Sequence, residues 1–211
     1  LPNGTKGRLP SRAQLGRFLV DRALQAHGIV DEWTLTRHLH LGGKQLVTET
    51  IDAMLDRVDW DNCKLFVEYG PGVGTFCPHI LDRLPEDGKL LVIETNERFV
   101  DYLKRTVRDD RFHARLGSAE DVERFVKQVG HEKADFVLSG LPISTLPEGV
   151  ADRIVAATER VLRRGGAFLT YQFRPAARDL TEQHFDRLET DFVWRNIPPC
   201  ILAWGWKERL A

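Results

Sequence analysis

At 211 residues the chain is long enough for one complete α/β core and leaves little for a second domain of ordinary size. Hydrophobic residues make up 42% and charged residues 29%, which excludes general disorder, and a formal net charge of -1 excludes a global polyanion-binding surface. No run approaches the roughly 20 apolar residues needed to cross a bilayer. Cys63, Cys77 and Cys200 show no CxxC pairing and no His/Cys cluster at metal-ligand spacing, so they are expected to be buried thiols in a reducing cytosol, with no metal site.

The first predicted element is a helix over residues 11–27, with Pro10 and Ser11 as its start signal and Gly28 as its stop. Leu15, Phe18, Leu19, Ala23 and Ala26 share one face, while Arg12, Gln14, Arg17, Asp21 and Gln25 fall largely elsewhere. Lys6, Arg8, Arg12, Arg17 and Arg22 oppose the single Asp21, so the first 30 residues carry +4 and the rest of the chain -5. A basic amphipathic helix of this kind either packs its apolar face on the domain or lies in the interface of an anionic membrane, at about 1 kcal/mol per basic residue. His38 and His40 in "RHLHLGGK" have no third ligand nearby and are read as part of a solvated loop or substrate gate. "LGGK" at Leu41 to Lys44 lacks the strand and the GKS/T of a phosphate loop.

From residue 65 the pattern alternates between two periods. Short β-rich runs at Leu65–Tyr69, Leu90–Glu94, Phe112–Leu116, Ala134–Ser139 and Ala167–Phe173 are separated by helical stretches with charged faces, which predicts a doubly wound parallel sheet. After Pro175 a helix is predicted over 181–189, then strands over 192–197 and 201–206 joined through Pro198 and Pro199 as an antiparallel hairpin at the sheet edge. Trp33, Trp60, Trp194, Trp204 and Trp206 are expected in core or edge packing, with Trp33 kept as a membrane-contact candidate.

The densest signal is "EYGPGVG" at Glu68 to Gly74, behind the first strand and ahead of a helix. Glycines at 70, 72 and 74 let a ligand approach the backbone and allow positive φ. The spacing is GxGxG rather than the GxGxxG of dinucleotide sites, and Glu68 would repel a pyrophosphate while favouring an ammonium group. Glu94, ending the second strand in "LLVIETN", is placed to accept both hydroxyls of a ribose. Two acids around a glycine turn select an adenosine ligand with a cationic amino-acid tail and no phosphate, and S-adenosylmethionine meets that description.

These residues resemble the class I S-adenosylmethionine-dependent methyltransferases. More narrowly, "VEYGPGVGTF", "LLVIETNERFVDYL", "DFVLSGLPISTLP", "VLRRGGAFLTYQF" and "WRNIPPCILAW" resemble, in order and spacing, the bacterial phospholipid N-methyltransferases over roughly residues 45 to 206. The first half also resembles the ribosomal RNA adenine dimethylases, and "SGLP" and "NIPP" discriminate. The resemblance implies a seven-stranded, mostly parallel Rossmann-like sheet with N-terminal helices, divided into an N-terminal cap or membrane-contact segment, 1–44, and a methyltransferase domain, 45–211. It implies that Glu68, Gly70, Gly72 and Gly74 frame the methionine part of S-adenosylmethionine. Glu94 holds the ribose, with Thr95 and Asn96 beside it, and Gly117, Ser118, Ala119 and Glu120 cover the adenine. Relatives carry Asp where Ser118 stands, so the adenine amino contact falls to Ser118 or to the backbone.

Ser139, Gly140, Leu141 and Pro142 take the place of the loop that aligns the acceptor nitrogen in amino methyltransferases, and Ser139 also borders the donor. Glycine at the second position and the missing aromatic suit an aliphatic amine better than a stacked base. Tyr171 on the fifth strand is a candidate acceptor contact, and no general base is evident. The resemblance implies transfer of methyl groups to phosphatidylethanolamine and its partly methylated products towards phosphatidylcholine. The N-terminal helix then has a dual role, as cap over the pocket and as contact with an anionic membrane. The expected setting is a cytoplasmic monomer, peripheral on the inner face of the cell membrane, with no nucleic-acid partner. Two readings remain beside it: a methyltransferase acting on rRNA adenine or a small amine, the first disfavoured by the absence of a basic groove, and a non-catalytic S-adenosylmethionine- or membrane-binding module.

Overall fold

The computed structural model of the protein describes residues 43–172, 174–193 and 200–208. The predicted N-terminal helix, His38, His40, Trp33, Trp194 and the Pro198–Pro199 link lie outside the described residues. Gly43 apart, the described residues belong to one compact unit running from Lys44 to Ala211.

Helix α1, Gly43–Leu55, leads through a 3₁₀ turn at Trp60–Asn62 into strand β1, Leu65–Tyr69. There follow α2, Cys77–Leu81; β2, Lys89–Glu94; α3, Glu97–Thr106; β3, Phe112–Leu116; and α4, Val122–Gln128. The chain continues with β4, Ala134–Ser139; α5, Val150–Val161; β5, Leu162–Gln172; α6, Ala176–His184; β6, Arg187–Val193; and β7, Cys200–Trp206. The seven strands run in the order β3-β2-β1-β4-β5-β7-β6. The first five are parallel, and β7 is antiparallel to both β5 and β6.

Strands β1 and β4 are buried throughout, as parallel strands covered on both faces must be. Alternation along β1 sends Leu65, Val67 and Tyr69 into one apolar layer and Phe66 into the other. The first layer is closed by Phe125 and Val126 of α4, Ile154, Val155 and Val161 of α5, and Phe185. The second is closed by Ile51, Met54 and Leu55 of α1, Ile80 and Leu81 of α2, and Val100 and Leu103 of α3. Trp204, 1% exposed, joins this second layer and donates its indole N–H to the Met54 carbonyl at 3.0 Å.

Two regions differ from the sequence expectation. Strand β5 begins at Leu162, not Ala167, because "RRGG" is a bulge inside the strand rather than a turn before it. The register shifts between Ala134 and Phe136, and Gly165 takes φ +79 there. Beyond Pro175 the predicted helix over 181–189 lies at Ala176–His184, starting directly after the proline, and the first hairpin strand is Arg187–Val193 rather than 192–197. Charge misled the pattern: β6 is an edge strand that carries Arg187, Glu189, Thr190 and Asp191, and Glu189 pairs with Arg57 and Arg187.

The chain leaves β1 towards β2 and β3 on one side, then crosses to β4 and β5 on the other. The switch of direction falls between β1 and β4, and in a doubly wound sheet the crevice above that point, at the carboxyl ends of the strands, is where ligands bind.

Candidate active site

The turn after β1 fills that crevice. Gly70, Gly72 and Gly74 have φ of +61, +54 and +78, a region where side-chain-bearing residues are strained. The turn is stitched in place: the Gly70 amide donates to the Ile93 carbonyl at 2.9 Å, and the Gly74 amide to the Pro71 carbonyl at 2.8 Å. The glycines also serve the protein's own packing. A Cβ on Gly70 would come within 2.9 Å of the Leu141 side chain, and one on Gly74 within 2.6 Å of Leu103.

Two carboxyl groups face this turn. Glu94, 8% exposed at the end of β2, accepts from the Gly72 amide at 3.3 Å, from the Asn96 amide at 2.9 Å and from the Thr95 hydroxyl at 3.4 Å. Its acid therefore ties the glycine turn to the end of β2, and the lone-pair sites left on two oxygens still suit a ribose diol. Asn96 caps α3, its Oδ1 accepting from the Arg98 amide at 3.0 Å.

Glu68, 2% exposed, shares its side of the sheet with Cys77, the first residue of α2, whose thiol donates to Glu68 Oε2 at 3.5 Å. Burial pushes the Glu68 carboxyl up to about 8, opposed by the Cys77 contact and aided by the negative charge of Glu94. Burial and the neighbouring Glu68 likewise push the Cys77 thiol well up. Neither acid is ion-paired among the described residues, and the Thr75 hydroxyl in the same turn is buried with no hydrogen-bond partner. Two buried acids lacking a counter-charge and an unsatisfied hydroxyl fit a cationic ligand with hydrogen-bonding groups, as S-adenosylmethionine is.

The remaining predicted residues lie along the same edge of the sheet. The Gly117 amide donates to the Glu94 carbonyl at 3.0 Å, which sets the end of β3 beside that of β2. Ser118 caps a short 3₁₀ turn: its Oγ accepts from the Glu120 amide and donates to the Glu120 carboxylate, both at 3.2 Å. Ala119 is 5% exposed, its methyl packed in the first apolar layer.

Ser139, fully buried at the end of β4, accepts from the Leu141 amide at 3.3 Å, and the Gly140 amide donates to the Tyr69 carbonyl at 2.9 Å. A Cβ on Gly140 would lie 2.8 Å from the Tyr171 hydroxyl and 3.1 Å from the Gly70 carbonyl. Tyr171, half-buried, packs against Phe76 with ring centroids 5.0 Å apart. The loop after β4 and the glycine turn therefore touch, and the glycine at 140 is what allows it.

Sequence reasoning missed Thr75, Phe76, Cys77 and Gln172. All four adjoin motifs that were recognised, but which side chain turns inward depends on how α2 and β5 leave the sheet, and no spacing rule reports that.

No family model matches the chain. It is 30% identical over 144 residues to the ornithine lipid N-methyltransferase of Singulisphaera acidiphila, an alignment that spans 67% of this chain and 75% of that protein. The chain belongs to the S-adenosylmethionine-dependent N-methyltransferases. The fold agrees. The N-methyltransferase NodS from Bradyrhizobium japonicum superposes with a TM-score of 0.62 at 13% identity, over 77% of this chain and 94% of that one. An O-methyltransferase family protein from Burkholderia thailandensis gives 0.61 at 12% identity over 78% of this chain, which spans only 57% of that longer protein. This methyltransferase is an enzyme whose donor is S-adenosylmethionine, and the seven-stranded sheet is the one the sequence predicted.

Proposed function

We propose that the enzyme methylates the amine nitrogen of a membrane-lipid head group, with phosphatidylethanolamine and its partly methylated products as acceptors. The observation that carries this reading is the loop after β4. Its small Gly140 lets the loop pack directly against the Tyr171 hydroxyl and the Gly70 carbonyl of the glycine turn, and the loop itself carries no aromatic. A loop with glycine at this position and no aromatic of its own suits an aliphatic amine better than a stacked base. The relative from Singulisphaera supports a lipid acceptor by its name, and it favours a second head group of the same chemistry, the amine of an ornithine lipid.

S-adenosylmethionine supplies a methyl group already activated by the sulfonium, so the protein's task is positioning more than activation. Glu68 and the glycine turn would hold the amino-acid end, and Glu94 the ribose. On the acceptor side the chain must hold a neutral amine, since an ammonium near pKa 10 has no free lone pair at neutral pH. The Gly140 carbonyl would accept a hydrogen bond from an amine N–H, and the buried Ser139 keeps that loop in register through the Leu141 amide. The surrounding Leu141, Phe76 and Tyr171 side chains lower the polarity around the nitrogen, which favours loss of its proton.

The N-terminal basic segment would bring the enzyme to the anionic inner face of the cell membrane as a cytoplasmic, peripheral monomer. Among the described residues, no helix is long and apolar enough to cross a membrane. The test is incubation with labelled donor and separate pools of phosphatidylethanolamine vesicles, ornithine-lipid vesicles, small amines and RNA. Label is expected in an amine lipid. Transfer confined to RNA or to soluble amines would overturn the proposal.

A further inference from the structure

We infer that Gln172 is a positioning residue for methyl transfer, fixing the acceptor-side loop by donating its side-chain amide to the Leu141 carbonyl. The inference rests on the reading of Ser139 to Leu141 as the loop that aligns the acceptor nitrogen.

Leu141 is held from three directions. Its amide donates to Ser139 Oγ at 3.3 Å, its carbonyl accepts from Gln172 Nε2 and from the Ile143 amide at 2.8 Å, and its side chain covers Gly70. Gln172 is the last residue of β5 and is paired with Ile201 of β7, so its backbone is set by the sheet rather than by the loop it touches. The contact runs 31 residues across the sequence and converts a rigid strand end into a reference point for a mobile type of segment, a short loop. The Leu141 carbonyl has both lone pairs filled by Gln172 and Ile143, so the carbonyl of this row left to the amine is that of Gly140, the residue before it. A shift of that row by about 1 Å is enough to cost on the order of a hundredfold in rate. The groups read as holding the donor, Glu68 on β1, Glu94 on β2 and the glycine turn that follows β1, bond to one another and to Cys77 and Asn96 rather than to Gln172.

Two substitutions remove the donor in different ways. Gln172→Met keeps length without a polar group, and Gln172→Glu keeps shape but presents a carboxylate to the carbonyl. Both are compared with the parent for turnover on phosphatidylethanolamine vesicles, for S-adenosylhomocysteine affinity by calorimetry, and for thermal midpoint. The expected result is a kcat lower by about ten- to a hundredfold, with S-adenosylhomocysteine affinity within about threefold of the parent. A kcat within about twofold of the parent overturns the inference. So does a donor affinity that falls in step with kcat, or a loss of folding in both variants, since either makes Gln172 a structural prop. The parent's own acceptor panel is read separately. If it turns over no lipid, the substrate reading fails, and the kcat and affinity comparison is made on whichever amine the parent does methylate.

Discussion

Replacing Glu68 by Gln should stabilise the ligand-free enzyme at alkaline pH while weakening its grip on the donor. The folded carboxyl titrates at about 8 against an ordinary value of 4.5, chiefly because it is buried. The sign follows from linkage. Below about 4.5 the group is protonated whether the chain is folded or not. Between 4.5 and about 8 the unfolded chain gives up its proton and the folded one keeps it, so stability falls as pH rises and levels off above about 8. At about 1.36 kcal/mol per pH unit, the gap corresponds to a ceiling of about 5 kcal/mol. Glutamine has the same shape and no titration, so the variant escapes the loss. Thermal melts of parent and variant at pH 5 and pH 9 should show the variant's advantage growing by roughly 10 °C or more between the two. Calorimetry at pH 8 should show the variant binding S-adenosylmethionine more weakly, because the buried charge that answers the ligand's cation is gone. A difference in melting temperature that is the same at both pH values would refute the claim that Glu68 is a buried, unpaired acid.

Three further outcomes are expected. Glu94→Ala should weaken S-adenosylhomocysteine binding by about 2 to 4 kcal/mol, since it removes the acceptor for the ribose and the anchor of the Gly72 amide, and unchanged affinity in calorimetry removes Glu94 from the site. Gly72→Val should abolish donor binding, because a branched residue at φ +54 is strained and its side chain enters the ligand's approach; normal binding with the fold retained would place the donor elsewhere. Exchanging Arg12, Arg17 and Arg22 for Glu should strongly reduce sedimentation with anionic vesicles, an effect that salt should mimic in the parent, and leave donor affinity nearly unchanged. Sedimentation equal to the parent's would make that segment a packing element.

What could be read from the sequence tracks how local its cause is. Strands β1 and β4 were placed to the residue because mostly apolar runs buried on both faces have one reading, and the partly exposed edge strand β3 because its apolar residues alternate with His113 and Arg115. Glu68, the glycine turn and Glu94 were legible because a turn needing positive φ leaves glycines at fixed intervals and strand ends fix where the acids stand. The bulge in β5 and the charged edge strand β6 were not, since both obey contacts with distant partners: Lys207 bonded to the backbone at Gly166, and Arg57 paired with Glu189. Within the site, the Cys77 contact with Glu68 and the Gln172 contact with Leu141 span 9 and 31 residues. Only the packed structure brings those side chains together. Ser118 shows the converse, a polar residue at a predicted ligand position whose hydroxyl is engaged in capping its own turn.

The central claim is N-methylation of an amine-headed lipid, and head-group mass spectrometry tests it most directly. Enzyme, isotopically labelled S-adenosylmethionine and mixed vesicles of phosphatidylethanolamine, ornithine lipid and anionic lipid are incubated together, and the lipids are fragmented to locate the label. The account predicts label on the head-group nitrogen of an amine lipid, with successive methyl additions as the reaction proceeds. An enzyme that binds S-adenosylhomocysteine but leaves every lipid nitrogen unlabelled would contradict it.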